Sequence, residues 1–596
     1  MKVSDYVVSF IENLGIKHIF FLPGGGAMHM NDSLGKANGV TGVCMLHEQA
    51  AAIAAEAYAR ITENVGVCMV TSGPGGTNTI TGLAGAWIDS TPVIFLSGQV
   101  KKDDLIGNQG VRQFGIQEVD IISIVSSITK YAVQVENPKD IKYELEKAFM
   151  IAKNGRPGPV WIDIPLDVQA SQIQSEELKG FAEKYESPVI DPEQVDFIIS
   201  KLNQSKCPVL VVGNGVRLSG ATEIVRELYK ILNIPVLTSW NGVDLIEEEH
   251  PLYFGRPGAV GQRHANFIQQ TADFVLTIGT RLNLLSTGFN FESFMENAFH
   301  VMVDIDENEM KKKNVNPNLT LHSDAKSFIS MLIEHKEKIK DINRDNWIER
   351  CRELKMKYPI FIPEQSPSNN HVNTYKLIDK ITEKMDNDDI FQFTSSGTAI
   401  DISMQVFRIK KGQRAFLTKG LASMGFDIPA SIGSCLASNL RRTVCVTGDG
   451  GFFMNIQELE TLKRLRLPVK IFVLDNEGYS MIYSSQLNNF DKRLSGCTKE
   501  SGLTLPDIID VSSAFGIKTY DIDNDSDIEE TVSSVLLYDG PVICRVNSDI
   551  NQKILPRQTN YIKEDGQIAS RPIEDMSPLL PREELENVMK KENILI

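Results

Sequence analysis

Cysteine pairs with the spacing of a metal site are missing from this sequence. Its eight cysteines are scattered along the chain, and no two of them form a C-x-x-C pair. The spacing therefore indicates neither a disulfide framework nor a zinc site.

Long apolar runs and an excess of positive charge are missing as well. The N-terminal MKVSDYVVSFIENLG lacks the apolar core of a signal peptide, and no uninterrupted apolar stretch is long enough to span a bilayer. The formal net charge of −16 disfavours nucleic acid and anionic membranes as partners, because both attract basic surfaces. We therefore expect a cytoplasmic protein with no nucleic-acid and no membrane partner.

Short apolar runs alternate with helical patterns along the whole chain, and 42% of its 596 residues are hydrophobic. Many runs are rich in β-branched residues and end in a glycine-rich turn, as in KHIFFLPGGG, VGVCMVTSGPGG, CPVLVVGNG, DFVLTIGTRL, RTVCVTGDGG and VKIFVLDNEG. Strand, turn and helix repeated in this way are typical of parallel sheets covered by helices on both faces. We predict an α/β fold with three doubly wound parallel-sheet domains.

Two shifts in composition mark the boundaries between these domains. Residues 171–194 are polar and charged, and residues 358–370 are rich in Pro and Asn. The first and third domains share a layout of strand, glycine-rich turn, helix and strand, which hints at two related halves around a shared site. The predicted units are 1–170, 190–340, 370–550 and a Pro-interrupted tail, 551–596, expected to lie over another surface.

The segment VTGDGGFFMNIQELETLKRLRLPVKIFVLDNEGYSMIY carries the strongest chemical pattern. Asp449 follows one predicted strand and Asn476 follows the next, so a right-handed βαβ unit brings both to one sheet edge. A carboxylate, an amide oxygen and a backbone carbonyl suit Mg²⁺. The glycines let the backbone approach a diphosphate, and a helix predicted to start near Asn455 offers N–H groups to it. The alternative is two unrelated turns, because D-G and D-N are common turn dipeptides.

Glu48 lies between the apolar run VCML, interpreted as a short buried strand, and the alanine-rich helix AAAIAAEAYAR. A carboxylate at a helix N-terminus is ordinary, because the helix dipole favours negative charge there. Taken alone, Glu48 therefore indicates no function.

Several segments, in the same order along the chain, together resemble the thiamine diphosphate (ThDP) enzymes of the acetolactate synthase type, a family whose subgroups include carboligases that make branched-chain sugars of the yersiniose type. The resemblance implies a pyrimidine-binding, a central and a diphosphate-binding domain. It also implies a homodimer or homotetramer whose site lies between the first domain of one subunit and the third of another. The matching segments are FLPGGGAMH, HEQAAAIAAEAYAR, VTSGPGGTN, SITKYAV, GRPGPVWIDIPLDVQ, GLASMGFDIPASIGS and the GDG segment above.

By this resemblance, Asp449, Asn476 and the carbonyl of Gly478 hold Mg²⁺. Asp475 departs from the usual Asn and is isosteric with it, so the metal site is expected to survive. The same resemblance assigns further cofactor contacts to Gly448, Gly450, Gly451, Tyr479, Ser480 and Met481.

Glu48 takes on a role once the family is considered. The resemblance implies that it bonds to N1′ of the cofactor's aminopyrimidine and favours the imino tautomer that removes the thiazolium proton. Its apolar flanks exclude water, which helps a carboxyl group share a proton. Met424 matches the apolar residue that supports the bent cofactor, although Met is also an ordinary core filler. Ala422 supplies a backbone carbonyl beside the amino group.

Four further positions match residues near the reacting substrate. Gly25 offers a backbone N–H able to stabilise oxyanion charge, although it equally suits a turn. Gln117 matches a family glutamine, and the neighbouring Ile116 replaces a Phe, which widens the pocket. Lys130 and His29 match weakly, since a lone lysine is usually a surface residue and a lone histidine is as often structural.

The resemblance also implies FAD in the central domain without net redox chemistry. Arg156, Arg281 and Asp304 match flavin-facing positions. The GNG at 213–215 does not extend to G-x-G-x-x-G, so no independent dinucleotide motif supports this. The alternative is a central domain that binds no nucleotide.

The expected reaction is decarboxylation of a 2-oxo acid, pyruvate by family, followed by carboligation to an acceptor. Ser485 replaces a family tryptophan and Leu166 a family lysine, which favours a larger and less anionic acceptor than pyruvate. The acceptor stays open between a 2-oxo acid and a nucleotide-linked keto-sugar. A flavin-dependent 2-oxo acid oxidase and a non-catalytic binding protein are the rival functions.

Overall fold

The computed structural model describes residues 1–368 and 370–590. Residue 369, in the second predicted linker, and residues 591–596, at the end of the predicted tail, lie outside the described part. Three parallel sheets with helices on their faces organise the chain, which confirms the predicted α/β fold with three sheet domains.

The first sheet has six strands in the order β2-β1-β3-β4-β6-β5. Its strands are β1 (His18–Phe21), β2 (Thr41–Cys44), β3 (Gly66–Val70), β4 (Val93–Gln99), β5 (Tyr131–Gln134) and β6 (Val160–Pro165). Its helices are α1 (Val3–Asn13), α2 (Met28–Lys36), α3 (Glu48–Thr62), α4 (Pro74–Thr77), α5 (Ile80–Ile88), α6 (Ile121–Val125), α7 (Ile141–Lys153) and α8 (Leu166–Ala170).

The central sheet has five strands in the order β11-β10-β9-β7-β8. Its strands are β7 (Pro208–Val212), β8 (Val236–Thr238), β9 (Phe274–Ile278), β10 (Phe299–Asp304) and β11 (Leu319–His322). Its helices are α9 (Pro192–Gln204), α10 (Asn214–Leu218), α11 (Thr222–Leu232), α12 (Arg263–Thr271), α13 (Leu284–Thr287), α14 (Glu307–Met310), α15 (Ala325–Glu334) and α16 (Asp345–Lys357). Helix α16 packs into the central core through Trp347 and Leu354, so this core extends beyond residue 340.

The third sheet repeats the topology of the first, with the order β13-β12-β14-β15-β17-β16. Its strands are β12 (Ile390–Phe393), β13 (Arg414–Phe416), β14 (Thr443–Gly448), β15 (Val469–Asp475), β16 (Lys518–Ile522) and β17 (Val542–Asn547). Its helices are α17 (Thr374–Lys384), α18 (Gly397–Val406), α19 (Asp427–Ala437), α20 (Asp449–Met454), α21 (Leu459–Arg464), α22 (Ser480–Asn489), α23 (Ile508–Ala514) and α24 (Ile528–Leu537). The repeated strand order agrees with the shared layout read from the sequence.

The tail returns to the central domain. Its strands pair antiparallel as β18 (Arg557–Gln558) with β21 (Met576–Ser577) and β19 (Asn560–Ile562) with β20 (Ile568–Ser570). Helix α25 (Arg582–Met589) buries Leu585 and Val588 in the central core.

Helix α3 joins the first domain to the third. Alanines make up nearly half of it, and they let α19 approach closely. A Cβ atom added to Gly433 of α19 would lie 2.1 Å from the carbonyl oxygen of Ala54, so the contact requires a glycine there. The prediction of a buried strand at VCML was wrong in part: β2 ends at Cys44 and is a partly exposed strand at the sheet edge.

Within the described residues, the helices are each too short or too polar to cross a membrane.

Candidate active site

The ends of β14 and β15 bring Asp449 and Asn476 to one edge of the third sheet. The two strands pair in parallel, with Gly448 opposite Leu474, and the two polar residues follow directly. This placement is the one predicted from the sequence.

Asp449 organises the turn that follows β15. Its Oδ2 atom accepts hydrogen bonds from the backbone N–H groups of Asn476 and Gly478, both at 3.1 Å, and its Oδ1 atom accepts one from Gly450 at 2.7 Å. Burial raises the pKa of Asp449 to about 7, and the nearby Asp475 carboxylate acts in the same direction. The site therefore favours a cation that would compensate this buried carboxylate.

The Oδ1 atom of Asn476 is buried without a hydrogen-bond partner. A buried oxygen is rarely left unpaired, and a bound ion is one ordinary explanation. Within the described residues, no three His, Cys, Asp or Glu side chains converge on a common metal position. One carboxylate, one amide oxygen and one carbonyl are instead a set of oxygen ligands of the kind that Mg²⁺ takes.

The helix expected near Asn455 begins earlier than predicted. Helix α20 starts at Asp449 itself, directly after β14, and a 3₁₀ turn begins at Ile456. The prediction was wrong because the glycines at 450 and 451, taken as loop, are helical.

Close packing beside Asp449 leaves no room for a Cβ atom at three glycines. A Cβ atom on Gly450 would lie 2.4 Å from the Tyr479 ring and 2.9 Å from Cε of Met424, and one on Gly451 would lie 2.9 Å from Oδ2 of Asp427. Gly478 has the same constraint, since its Cβ would lie 2.3 Å from a carbonyl oxygen. Gly448 has open space around it.

The remaining predicted residues of this half lie nearby. Ala422 has φ of +58°, an unusual value for a non-glycine residue, in the turn that carries Met424. The Tyr479 N–H donates to the carbonyl of Cys497 at 2.9 Å, and the Ser480 and Thr398 hydroxyls lie 2.8 Å apart. Met481 packs against the third core.

Glu48 is the first residue of α3, and only 7% of it is exposed. His47 caps the helix through Nδ1, which accepts from the Gln49 N–H. Asn78, at the end of α4, donates to Oε2 of Glu48 at 2.9 Å. The carboxylate is thereby oriented in a nearly dry position.

Gly25, Gln117 and His29 all belong to the first domain, which also carries Glu48. Gly25 is exposed in a 3₁₀ turn, and His29 is half-buried in the first turn of α2. Gln117 has φ of +63° on an exposed loop that lies against the glycine-rich turn, since a Cβ on Gly73 would lie 2.7 Å from the Gln117 carbonyl oxygen. The adjacent Ile116 is 90% exposed.

Lys130 contacts the C-terminal end of α7, and its assignment beside the reacting substrate stays a prediction. Its ammonium group donates to the carbonyl oxygens of Ile151, in α7, and Asn154, one residue beyond that helix. Burial lowers its pKa to about 8. A cation at a helix C-terminus compensates the helix dipole, so these contacts stabilise the end of α7.

The three residues matched to FAD converge on one cavity of about 350 Å³ where the three domains meet. Arg156 donates to Asp306 and Glu309 at 2.8 Å each, and Arg281 shares Glu309 at 3.2 Å. Burial raises the pKa of Asp304 to about 6.

Two glycine-containing loops that follow β7 and β9 form part of the wall of this cavity. A Cβ atom on Gly213 would lie 2.3 Å from the Gly279 carbonyl oxygen, so two strand-end loops meet closely there. The Oγ1 atom of Thr280, in the cavity wall, is buried without a partner and is available to a ligand.

Sequence reasoning missed three polar residues of these sites: Asn78, Asp427 and Thr280. Asn78 ends the segment VTSGPGGTN, so that segment carried a signal for it. Asp427 is fully buried beneath Gly451, where its Oδ2 accepts from Thr447 at 2.6 Å and its Oδ1 lacks a partner. Asp427 lies in the matching segment GLASMGFDIPASIGS and Thr280 in the turn of DFVLTIGTRL, so these segments also carried a signal.

Comparisons with known proteins match all three domains. Residues 1–124 match the N-terminal TPP binding domain of thiamine pyrophosphate enzymes, 195–332 their central domain and 396–546 their C-terminal TPP binding domain. The chain is 31% identical to the acetolactate synthase isozyme 1 large subunit of Escherichia coli, over 93% of this chain and 95% of the relative. It is 34% identical to a probable acetolactate synthase large subunit of Methanococcus aeolicus, over 91% of each. It is 32% identical to the isozyme 2 large subunit of E. coli, over 93% and 97%.

Proposed function

Because this chain belongs to the ThDP-dependent acetolactate synthase-like family, we propose that it decarboxylates pyruvate and transfers the remaining two-carbon unit to a carbonyl acceptor. The enzyme class, a ThDP-dependent carboligase, follows from the family. Pyruvate as the donor, Mg²⁺ as the metal and the nature of the acceptor are parts of this proposal.

The observation that carries the proposal is the unpaired, buried Oδ1 of Asn476 beside Asp449. Together with the Gly478 carbonyl these oxygens would hold Mg²⁺, which shares its remaining positions with phosphate oxygens. The open space beside Gly448 would receive the diphosphate.

Glu48 would bind the pyrimidine end of the cofactor. Its buried carboxylate, oriented by Asn78, would hold a proton at the ring nitrogen while apolar neighbours exclude water. Met424 would pack against the cofactor, and the backbone carbonyl of Ala422 would lie beside the cofactor's amino group. When bound, ThDP would supply the carbon nucleophile and stabilise the electron pair that departing CO₂ leaves behind. Gly25 would direct its N–H at the substrate oxygen.

The test is pyruvate consumption and CO₂ release by the purified chain with ThDP and Mg²⁺. We expect release to require both cofactors and to be lost in Asp449→Ala. Unchanged activity of Asp449→Ala would refute the metal site, and unchanged CO₂ release by Glu48→Gln would refute the role of Glu48. No CO₂ release by the wild-type chain would favour a non-catalytic binding protein.

The acceptor is either a second 2-oxo acid or a nucleotide-linked keto-sugar, and one feature favours the larger molecule. Helix α22, which follows the metal turn, has no buried residue, and Ser485 on it is exposed. Mass spectrometry of the products separates the two. Acetolactate from pyruvate alone identifies the 2-oxo acid, whereas CO₂ release accelerated by an added keto-sugar identifies the sugar.

FAD is proposed to bind in the three-domain cavity, beside Arg156, Arg281, Asp304 and Thr280. Flavin released on denaturation would be measured by its absorbance, and Thr280→Val is expected to lower the bound fraction. A flavin that is bleached by pyruvate and reoxidised in step with turnover would indicate the 2-oxo acid oxidase instead.

A homodimer or homotetramer would complete the site. The contacts of Glu48 and Asp449 lie within their own domains, and apolar side chains beside both halves are exposed: Met28 50%, Leu46 48%, Met454 50%, Ile482 48% and Phe490 55%. A second copy that brings the two halves together would bury them. Sedimentation of a fully active monomer would refute this.

A further inference from the structure

Asp475, the residue directly before Asn476, is held by an arginine from the neighbouring strand. Its Oδ2 atom accepts a hydrogen bond from Nε of Arg545 at 2.6 Å. Arg545 lies on β17, which pairs with β15, and its side chain also reaches Asp521 at 3.2 Å and Asp523 at 3.5 Å. This arginine therefore connects the start of the candidate metal turn to the adjacent part of the sheet.

Hydrogen bonds hold the backbone of the same turn at two further places. The Asp475 carbonyl accepts from the Ser548 N–H at 2.9 Å, and Asp449 holds the N–H groups of Asn476 and Gly478. Glu477, between those two, has φ of +55°, so the turn is strained at its tip. Such a turn keeps its shape only when its flanks are fixed.

The Arg545 contact also compensates the negative charge of Asp475. Only 16% of the Asp475 side chain and 21% of the Arg545 side chain are exposed. A carboxylate left unpaired there would stand beside a site for a cation and a diphosphate. It would repel the diphosphate, and it would compete with Asn476 for the metal.

We propose that Arg545 is a positioning residue for the metal- and diphosphate-binding turn, acting by neutralising Asp475 and fixing the first residue of that turn. The inference rests on the proposed cofactor site. It assigns a role to an arginine about seventy residues beyond that site in sequence, and it explains why an acidic residue is tolerated at position 475.

The test is a double-mutant cycle read out as ThDP affinity at saturating Mg²⁺, measured by calorimetry on the full chain. We expect Arg545→Gln to weaken ThDP binding about tenfold or more, because the carboxylate is left unpaired. Asp475→Asn should stay within about threefold of wild type, since the amide oxygen still accepts from Arg545. The double variant should also return to within about threefold, because no unpaired carboxylate remains next to Asn476. Asp521 and Asp523 also lose Arg545, but their side chains are 44% and 66% exposed and solvent screens them.

A matched control separates positioning from general stability. Arg442 makes a similar pair in the same domain, with Asp389, and its side chain is 19% exposed. It lies at the start of β14, at the other end of the sheet from the turn. Arg442→Gln should lower the thermal midpoint as Arg545→Gln does while leaving ThDP affinity unchanged.

Two results would overturn the inference. One is equal ThDP affinity in Arg545→Gln and wild type, and the other is a double variant no better than Arg545→Gln. If Arg545→Gln does not fold, the comparison of Asp475→Asn with the double variant decides, because a difference above about threefold would mean that Arg545 acts other than through Asp475. A wild-type chain that binds no ThDP would instead refute the proposed function itself.

Discussion

The carboxylate of Glu458 accepts a hydrogen bond from the backbone N–H of Leu46, with 2.9 Å between nitrogen and Oε1. Glu458 follows α20 in the third domain, whereas Leu46 stands two residues before Glu48 in the first. Glu458 is fully buried, its pKa is raised by that burial, and its Oε2 accepts from Thr461 at 2.7 Å. The segment that presents Glu48 is thus held by the domain that carries the metal turn.

Removing this contact is expected to loosen the segment before Glu48. Glu458→Ala leaves the Leu46 N–H unsatisfied, which costs about 1–3 kcal/mol of unfolding free energy. Because the presentation of Glu48 is disturbed, kcat should fall while ThDP affinity changes little. Urea unfolding measures the free energy of unfolding, and steady-state kinetics measure kcat. Glu460→Ala, two residues along, is the control and should change stability by less than about 0.5 kcal/mol. Equal effects of the two variants would show that the contact has no special role.

Glu48→Gln should separate binding from turnover. The amide keeps the size of the side chain and the contact with Asn78, but it cannot exchange a proton with the cofactor. We expect kcat to fall about 100-fold or more, with the affinity for ThDP and Mg²⁺ near that of wild type because the diphosphate anchors lie in the other domain. Asn78→Ala should give a smaller loss, since the carboxylate remains but loses its orientation. Normal turnover by Glu48→Gln would contradict the assignment.

The sequence predicted those features that depend on local pattern. The alternation of apolar runs and glycine turns identified the three sheets, and two strand ends joined by one βαβ unit placed Asp449 beside Asn476 correctly. The repeated topology of the first and third sheets was visible as a shared layout. Each of these depends on periodicity along a short stretch of chain.

Features that depend on distant partners could not be predicted. The contacts of Lys130 with the end of α7, more than twenty residues away, have no local signal in the sequence. The pairs Leu46–Glu458 and Asp475–Arg545 join segments far apart in sequence, and nothing local marks them. The start of α20 was missed because helix propensity is low for Gly-Gly, and tertiary contacts override it.

The acceptor pocket offers a direct test on α22. Ser485→Trp introduces a bulky wall on an exposed helix beside the metal turn. If the acceptor is a nucleotide keto-sugar, its reaction should slow by about tenfold or more, since steric exclusion of this kind is worth roughly 1–3 kcal/mol. The rate at which pyruvate condenses with a second pyruvate should change less. Ser485→Ala serves as the control for loss of the hydroxyl group alone. Product ratios by mass spectrometry give the answer, and unchanged ratios in Ser485→Trp would place the acceptor elsewhere.

Acid should weaken the central domain through His264. This side chain is fully buried in α12, Nδ1 faces the Tyr358 carbonyl at 3.2 Å, and Nε2 has no partner. Burial, with Lys355 and Arg256 nearby, lowers its pKa from 6.5 to about 3. The folded-state pKa therefore lies below the unfolded one, so this contribution to stability is present above pH 6.5 and is lost as the pH falls toward 3.

His264→Gln removes the titrating ring while keeping a donor for the carbonyl. We expect the thermal midpoint of this variant to fall less steeply between about pH 6.5 and pH 4 than that of wild type, by the equivalent of roughly 1–3 kcal/mol. Burial also lowers the pKa of His300 to about 4, so His300 keeps part of the pH dependence of the thermal midpoint in this variant. The exposed His322 provides the control, and His322→Gln should keep most of the wild-type slope. Identical slopes in His264→Gln and wild type would mean that His264 does not resist protonation in the folded chain.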